Sequence, residues 1–170
     1  MNQSLLTSHL KELKTKRKKR AGRRSESGFW GQLKKQLKQS PRKWTATRIE
    51  SWASAGFPDV FLCDEFGYFH TLELKHTFTD KVELSAHQVS FHAQHTHSSS
   101  WILVKREYVN KKGLYLFLYH ASQAIDVKLE GLKINPVFQS ENWENWQNIF
   151  EFIAPSNGIK NAVFDRIHNE

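Results

Sequence analysis

Two β-rich runs, Asp59 to Cys63 and Tyr68 to Lys75, are separated by Asp64-Glu65-Phe66-Gly67, and no other stretch limits the possible folds so tightly. The interval begins with Asp and ends with Gly, residues suited to turn geometry, so the runs are predicted to pair as an antiparallel hairpin. Strand side chains alternate between faces; Glu73 and Lys75 therefore leave one face and Leu74 the other. Pairing around the turn sets Asp59 opposite residues 72–74, at a cross-strand distance of about 5 Å. Two carboxylates and an ammonium converge at one place on a sheet.

The rest of the chain supplies a domain around that hairpin. Glu26, Trp30, Leu33 and Leu37 recur at helical spacing while Lys34, Lys35 and Lys38 point elsewhere, which predicts an amphipathic helix over residues 26–39, ended by Ser40-Pro41. Trp44 to Trp52 suits a first strand. Ser85 and Gln88 stand as a capping box, Ser at the N-cap and Gln three residues on, opening a helix to about His95. Trp101 to Val104 and Leu114 to Tyr119 are apolar runs of inner-strand length. A short helix is expected over Ser122 to Leu129, and Ser140 is expected to cap another that carries Trp143, Trp146 and Phe150 on one core-facing stripe. Asn157 to Glu170 is weakly patterned. No internal repeat and no Gly-rich phosphate loop is present, so nucleotide hydrolysis lacks its usual sequence support.

Charge divides the 170 residues in two. The net +8 lies entirely between Lys11 and Arg24, where nine basic residues meet one acid; from Ser25 onward 16 basic residues balance 16 acids. Residues 1–24 are poor in apolar side chains and read as a flexible basic arm. Residues 25–170 are long enough to bury a core as one domain. Cys63 is the only cysteine, which excludes an intrachain disulfide and favours a reducing interior. Neither a signal-peptide core nor a membrane-spanning run is found, so the expectation is a protein that is not secreted, works in the cytoplasm and has no membrane partner.

The converging groups suit phosphodiester hydrolysis. Asp59, Glu73, the Leu74 carbonyl and waters form the hard oxygen set that Mg²⁺ or Mn²⁺ prefers. Such an ion activates water and neutralises charge growing on phosphate, and the Lys75 ammonium favours the same anionic transition state. Lys16, Arg17, Lys18, Lys19, Arg20, Arg23 and Arg24 offer phosphate contacts without reading sequence, and Lys34, Lys35 and Arg48, with Lys38, Arg42 and Lys43 nearby, continue the basic track. Glu26 is either an ordinary acid in a first helical turn or an inward-facing member of the site. Gln88 is either only the capping residue or also a site residue. His87, His92, His95 and His97 read as a polar helix face rather than a zinc site, since no cysteine or adjacent acid completes a ligand set.

Pro58-Asp59 and Glu73-Leu74-Lys75 resemble the motif of the PD-(D/E)XK nuclease superfamily. The order of elements over about residues 25–119 is similar to that of Holliday junction resolvases of the archaeal and phage type and of VRR-type nucleases: a helix with a glutamate, a strand, a Gly-x-Pro-Asp hairpin, E-x-K, then a helix with a glutamine. That resemblance implies an α/β, restriction-endonuclease-like fold with a mixed central sheet flanked by helices. It further implies a divalent-metal-dependent DNA endonuclease in which Glu26, Asp59, Glu73 and the Leu74 carbonyl hold Mg²⁺ or Mn²⁺ and Lys75, Asp59, Glu73 and Gln88 serve catalysis. Branched DNA, above all a four-way junction, is the implied substrate, and a C2 homodimer the implied assembly. A flap- or end-directed nuclease, or a silent nucleic-acid-binding module on the same fold, is the alternative.

Overall fold

The computed structural model describes residues 26–49, 56–108, 114–140 and 145–155. The basic arm, the end of the expected first strand at Trp52, Trp143 and the segment from Asn157 onward lie outside the described residues. Among those described, no helix is long and apolar enough to cross a membrane.

A helix, α1 (residues 26–39), precedes three strands, β1 (Thr45–Arg48), β2 (Val60–Cys63) and β3 (Phe69–Thr77). Helix α2 (Ala86–Gln94) leads to β4 (Ser100–Glu107) and β5 (Leu114–His120). After a 3₁₀ turn at Ala121–Gln123 come α3 (Ala124–Glu130), a second 3₁₀ turn at Gly131–Lys133, β6 (Phe138–Ser140) and α4 (Trp146–Ile153). The six strands form one mixed sheet in the order β1-β2-β3-β4-β5-β6. Every pair is antiparallel except β3 with β4, which run parallel across the α2 crossover.

Two apolar layers hold this α/β sandwich together. On one face Phe29, Leu33 and Leu37 of α1 and Trp146, Ile149, Phe150 and Ile153 of α4 meet Leu62, Leu72, Leu74, Leu103 and Leu118 of the sheet. On the other, Ala124 and Val127 of α3 and the half-buried Val89 of α2 meet Ile102, Val104, Phe117 and Tyr119. Leu74 thus enters the core opposite Glu73 and Lys75, as strand alternation requires.

The hairpin forms where the sequence places it. Its turn is held by the Asp64 carboxylate, whose Oδ1 accepts from the backbone N–H groups of Phe66 and Tyr68, both at 2.9 Å, while Gly67 takes the positive φ of 81°. Several expectations require correction. Phe29, not Trp30, is the buried aromatic of α1, because the Phe29/Leu33/Leu37 stripe faces the sheet and leaves Trp30 at its half-buried margin. Ser140 ends β6, paired with Leu116, and the cap position of α4 belongs to Asn145. Arg42 does not continue a DNA track: it is buried, its Nε bonds Glu65 Oε1 at 3.0 Å, Nη1 bonds the Ala154 carbonyl, and Asp64 and Glu151 complete the surround. It satisfies the C-terminal end of α4 and ties it to the hairpin turn.

Candidate active site

The site begins with a glycine. Gly56 has φ of 91°, and a Cβ there would collide with the backbone carbonyl of His87, so only glycine lets this loop lie against the first turn of α2. Three residues on, Asp59 is held at the mouth of β2: its Oδ2 accepts from the Leu74 N–H at 3.0 Å, and the carbonyl of the same residue accepts from the Ile49 N–H at 2.7 Å. The predicted apposition of Asp59 and residues 72–74 is therefore a direct hydrogen bond across the hairpin.

Glu73 has no exposed surface. Its Oε1 receives Lys75 Nζ at 2.8 Å and the side-chain amide of Gln88, while Oε2 is buried with no hydrogen-bond partner. Gln88 does both of the things the sequence left open. Its Oε1 accepts the Ser85 N–H at 2.9 Å and its backbone N–H donates to Ser85 Oγ at 3.1 Å, completing the capping box, and its Nε2 then reaches Glu73. The start of α2 is thereby fastened to the middle of β3.

Burial drives the Glu73 pKa from 4.5 up to about 8, helped by the charges of Asp59 and Glu26 and opposed by Lys75. Lys75 is also raised, because Glu73, Glu26 and Asp59 outweigh the desolvation that would lower it. The two shifts belong to different charge states, since Lys75 gains most from an ionised Glu73. For the site built from protein groups alone, the Glu73 direction is the one that follows from geometry: total enclosure with one oxygen unsatisfied penalises a carboxylate. Glu26 is half-buried on α1, and its charge acts on both groups.

Among the described residues no three or more His, Cys, Asp or Glu side chains are arranged to hold a metal ion by themselves. Asp59 and Glu73 nonetheless fit Mg²⁺ or Mn²⁺ chemically. Both are hard oxygen donors, Glu73 Oε2 is a buried acceptor without a donor, and Mg²⁺ commonly takes one or two carboxylates and fills its shell with water and substrate phosphate.

Outside the site, Lys34 and Lys35 are exposed on α1, and Arg48 is half-buried at the end of β1. The arm residues Lys16, Arg17, Lys18, Lys19, Arg20, Arg23 and Arg24 lie outside the described residues. The histidines of α2 do not share one polar face: His92 is fully buried, with Nδ1 3.1 Å from Ser100 Oγ, while His87 is exposed. A cavity of about 270 Å³ lies elsewhere, near the hairpin turn, lined by Tyr68, His70, Ser99, Trp101 and Phe152 among others. It is apolar and contains none of the site residues, so the convergent polar chemistry rather than this hollow marks the candidate active site. No protein-family model matches the sequence, and no curated protein or solved structure matches it.

Proposed function

We propose that this chain is a divalent-metal-dependent DNA endonuclease of the PD-(D/E)XK type, hydrolysing phosphodiester bonds in branched DNA such as a four-way junction. One observation carries the reading: Asp59, Glu73, Lys75 and Gln88 meet in one corner, with Asp59 bonded to the Leu74 N–H and Lys75 and Gln88 both on Glu73 Oε1. The order α1-β1-β2-β3-α2 in a mixed sheet supports it, because it is the order that the resemblance implies.

Asp59 and Glu73 would hold the ion, which supplies Lewis acidity to the phosphate and a water of lowered pKa. The protein's own groups do the remainder. The Leu74 N–H fixes the Asp59 carboxylate, Gln88 fixes Glu73, and Lys75 holds its proton beside the site, where an ammonium offsets negative charge developing on phosphate oxygens. When Glu73 is ionised, Lys75 retains that proton more firmly, which casts it as an electrostatic group and a donor to a bound water rather than as a base. Paired cuts at a junction need two such sites, so the reading carries a C2 homodimer with it.

A labelled four-way junction, a flap and a plain duplex, each incubated with the protein and Mg²⁺, test it. Paired symmetric nicks in the junction are expected; cutting of flaps or ends instead points to the other nuclease reading. Binding without any cut in Mg²⁺ or Mn²⁺ defeats the enzyme. Asp59→Asn and Lys75→Ala should abolish cutting while junction affinity in Ca²⁺ stays within about threefold, since both residues act on the reaction more than on binding.

A further inference from the structure

Among the described residues, one face of β1, β2 and β3 is left open on its outer part. Thr45 pairs with Cys63, Thr47 with Phe61, Phe61 with Thr71, and Cys63 with Phe69, so these six side chains share a face. Glu73 and Lys75 continue the same face of β3. Thr45 and Thr47 are exposed, Phe61 and Cys63 partly so, and Phe69 is 62% exposed although it is a phenylalanine within a strand. The Phe61 and Phe69 rings stack, with centroids 4.9 Å apart and planes 19° apart. Between this pair and Glu73 the face carries no charge.

We propose that this face is a base-stacking platform for an unpaired nucleic-acid strand that enters the Asp59/Glu73/Lys75 site. The proposal rests on the nuclease reading and deepens it, since it requires bases to unpair at the branch point beside the cut. Three observations select this occupant. First, the platform is continuous with the site: Phe69 lies four residues before Glu73 on one strand and one face, about 13 Å away, and Phe61 sits between. A strand of nucleotides laid along β3 spans that interval with its bases on the rings. Second, two flat rings edged by threonines, without charge, suit the π faces of bases rather than phosphates. Third, a second copy of the chain is a poor occupant. The net +8 of the chain attracts a polyanion. The patch, three strands wide and about four residues long, covers on the order of 150 Å², against the roughly 800 Å² that each partner gives a stable dimer.

The test is binding of a labelled oligothymidylate in EDTA, where no cutting intervenes. Phe61→Ala and Phe69→Ala should each weaken affinity about tenfold, with the slope of affinity against salt unchanged, because stacking rather than phosphate contact is lost. Phe69→Trp should bind at least as tightly as the natural chain, and Leu129→Ala, an exposed residue on α3, should bind normally. If an alanine variant melts early, Phe61→Leu and Phe69→Leu keep apolar bulk without a π face and should show the same loss. Affinity within about twofold of normal in folded ring variants overturns the platform, as does a fall in molecular mass on sedimentation with oligothymidylate affinity retained, which assigns the face to a second copy. Ring-dependent binding by a protein that cuts nothing in Mg²⁺ keeps the platform and removes the nuclease; cutting with ring-independent binding does the reverse.

Discussion

Replacing Glu73 by Gln should make the protein less sensitive to rising pH. The unfolded carboxyl ionises near 4.5 and the folded one near 8, so between these values the folded state binds more protons than the unfolded state. The associated stability is fully present below pH 4.5 and is lost as pH rises toward 8. Applying about 1.4 kcal/mol per pKa unit, the natural protein loses about 3 kcal/mol from this group between pH 5 and pH 7.5. Gln has nearly the same shape and does not titrate. It still offers Oε1 to Lys75 and Gln88 but puts an NH₂ where Glu73 Oε2 has no partner, a constant cost of about 1–3 kcal/mol. The variant should therefore be the less stable protein at pH 5 and equal or superior at pH 7.5. At about 2–4 °C per kcal/mol for a domain of this size, the difference between the two melting temperatures should swing by roughly 6–12 °C across that range. Thermal melts followed by far-UV circular dichroism in EDTA measure it, and groups that titrate alike in both proteins cancel. Parallel curves would show that Glu73 ionises as an ordinary, solvated carboxylate. Adding Mg²⁺ at pH 7.5 should then raise the natural protein and leave the variant nearly unmoved, since only the former presents a carboxylate there; equal gains would remove Glu73 from the metal site.

Two further outcomes separate the fold from the site. Gln88→Ala should lower stability by about 1 kcal/mol through the lost capping bond and slow cleavage roughly 10–100-fold through the freed Glu73, whereas Ser85→Ala, which leaves the Ser85 N–H on Gln88 Oε1, should show the stability loss with near-normal cleavage; equal activity of the two variants contradicts the positioning role. His92 has its pKa lowered from 6.5 to about 4, by burial first and by the charges of His95, His120 and Lys75 next. The unfolded state takes up the proton first, so this stability is present above pH 6.5 and lost as pH falls toward 4. Urea midpoints should show the natural protein losing about 2 kcal/mol more than His92→Asn between pH 7 and pH 4.5, and equal acid sensitivity would mean that His92 is solvated.

The hairpin and the meeting of Asp59 with residues 73–75 were legible because their determinants are local. Turn chemistry at Asp64 to Gly67 and a two-residue period fix which side chains meet, and the Ser85/Gln88 spacing fixes the start of α2. The place of Gln88 beside the site came only from the resemblance; spacing alone left it open, since it depends on where a crossover helix lands on a sheet. Phe29 and Trp30 are neighbours on one helix, and a stripe drawn through Leu33 and Leu37 admits either until the sheet chooses. Strand β6, three residues just beyond Pro136, is too short to show alternation, and Ser140 before an aromatic run imitates a helix cap. Arg42 stands between Pro41 and Lys43 and reads as surface charge; only the long-range approach of Ala154 and Asp64 buries it.

Gln88 can serve the helix and the site together only as an amide. At most helix starts of this kind the third position accepts Glu as readily as Gln, because either side chain reaches back to the N-cap N–H. Here the far side of the same group must donate to the fully enclosed Glu73 Oε1, and a carboxylate in its place would bring an acceptor where a donor is needed. The Gln-to-Glu exchange that other capping boxes accommodate therefore forfeits a bond here, while Ser85 beside it meets only the ordinary demands of an N-cap.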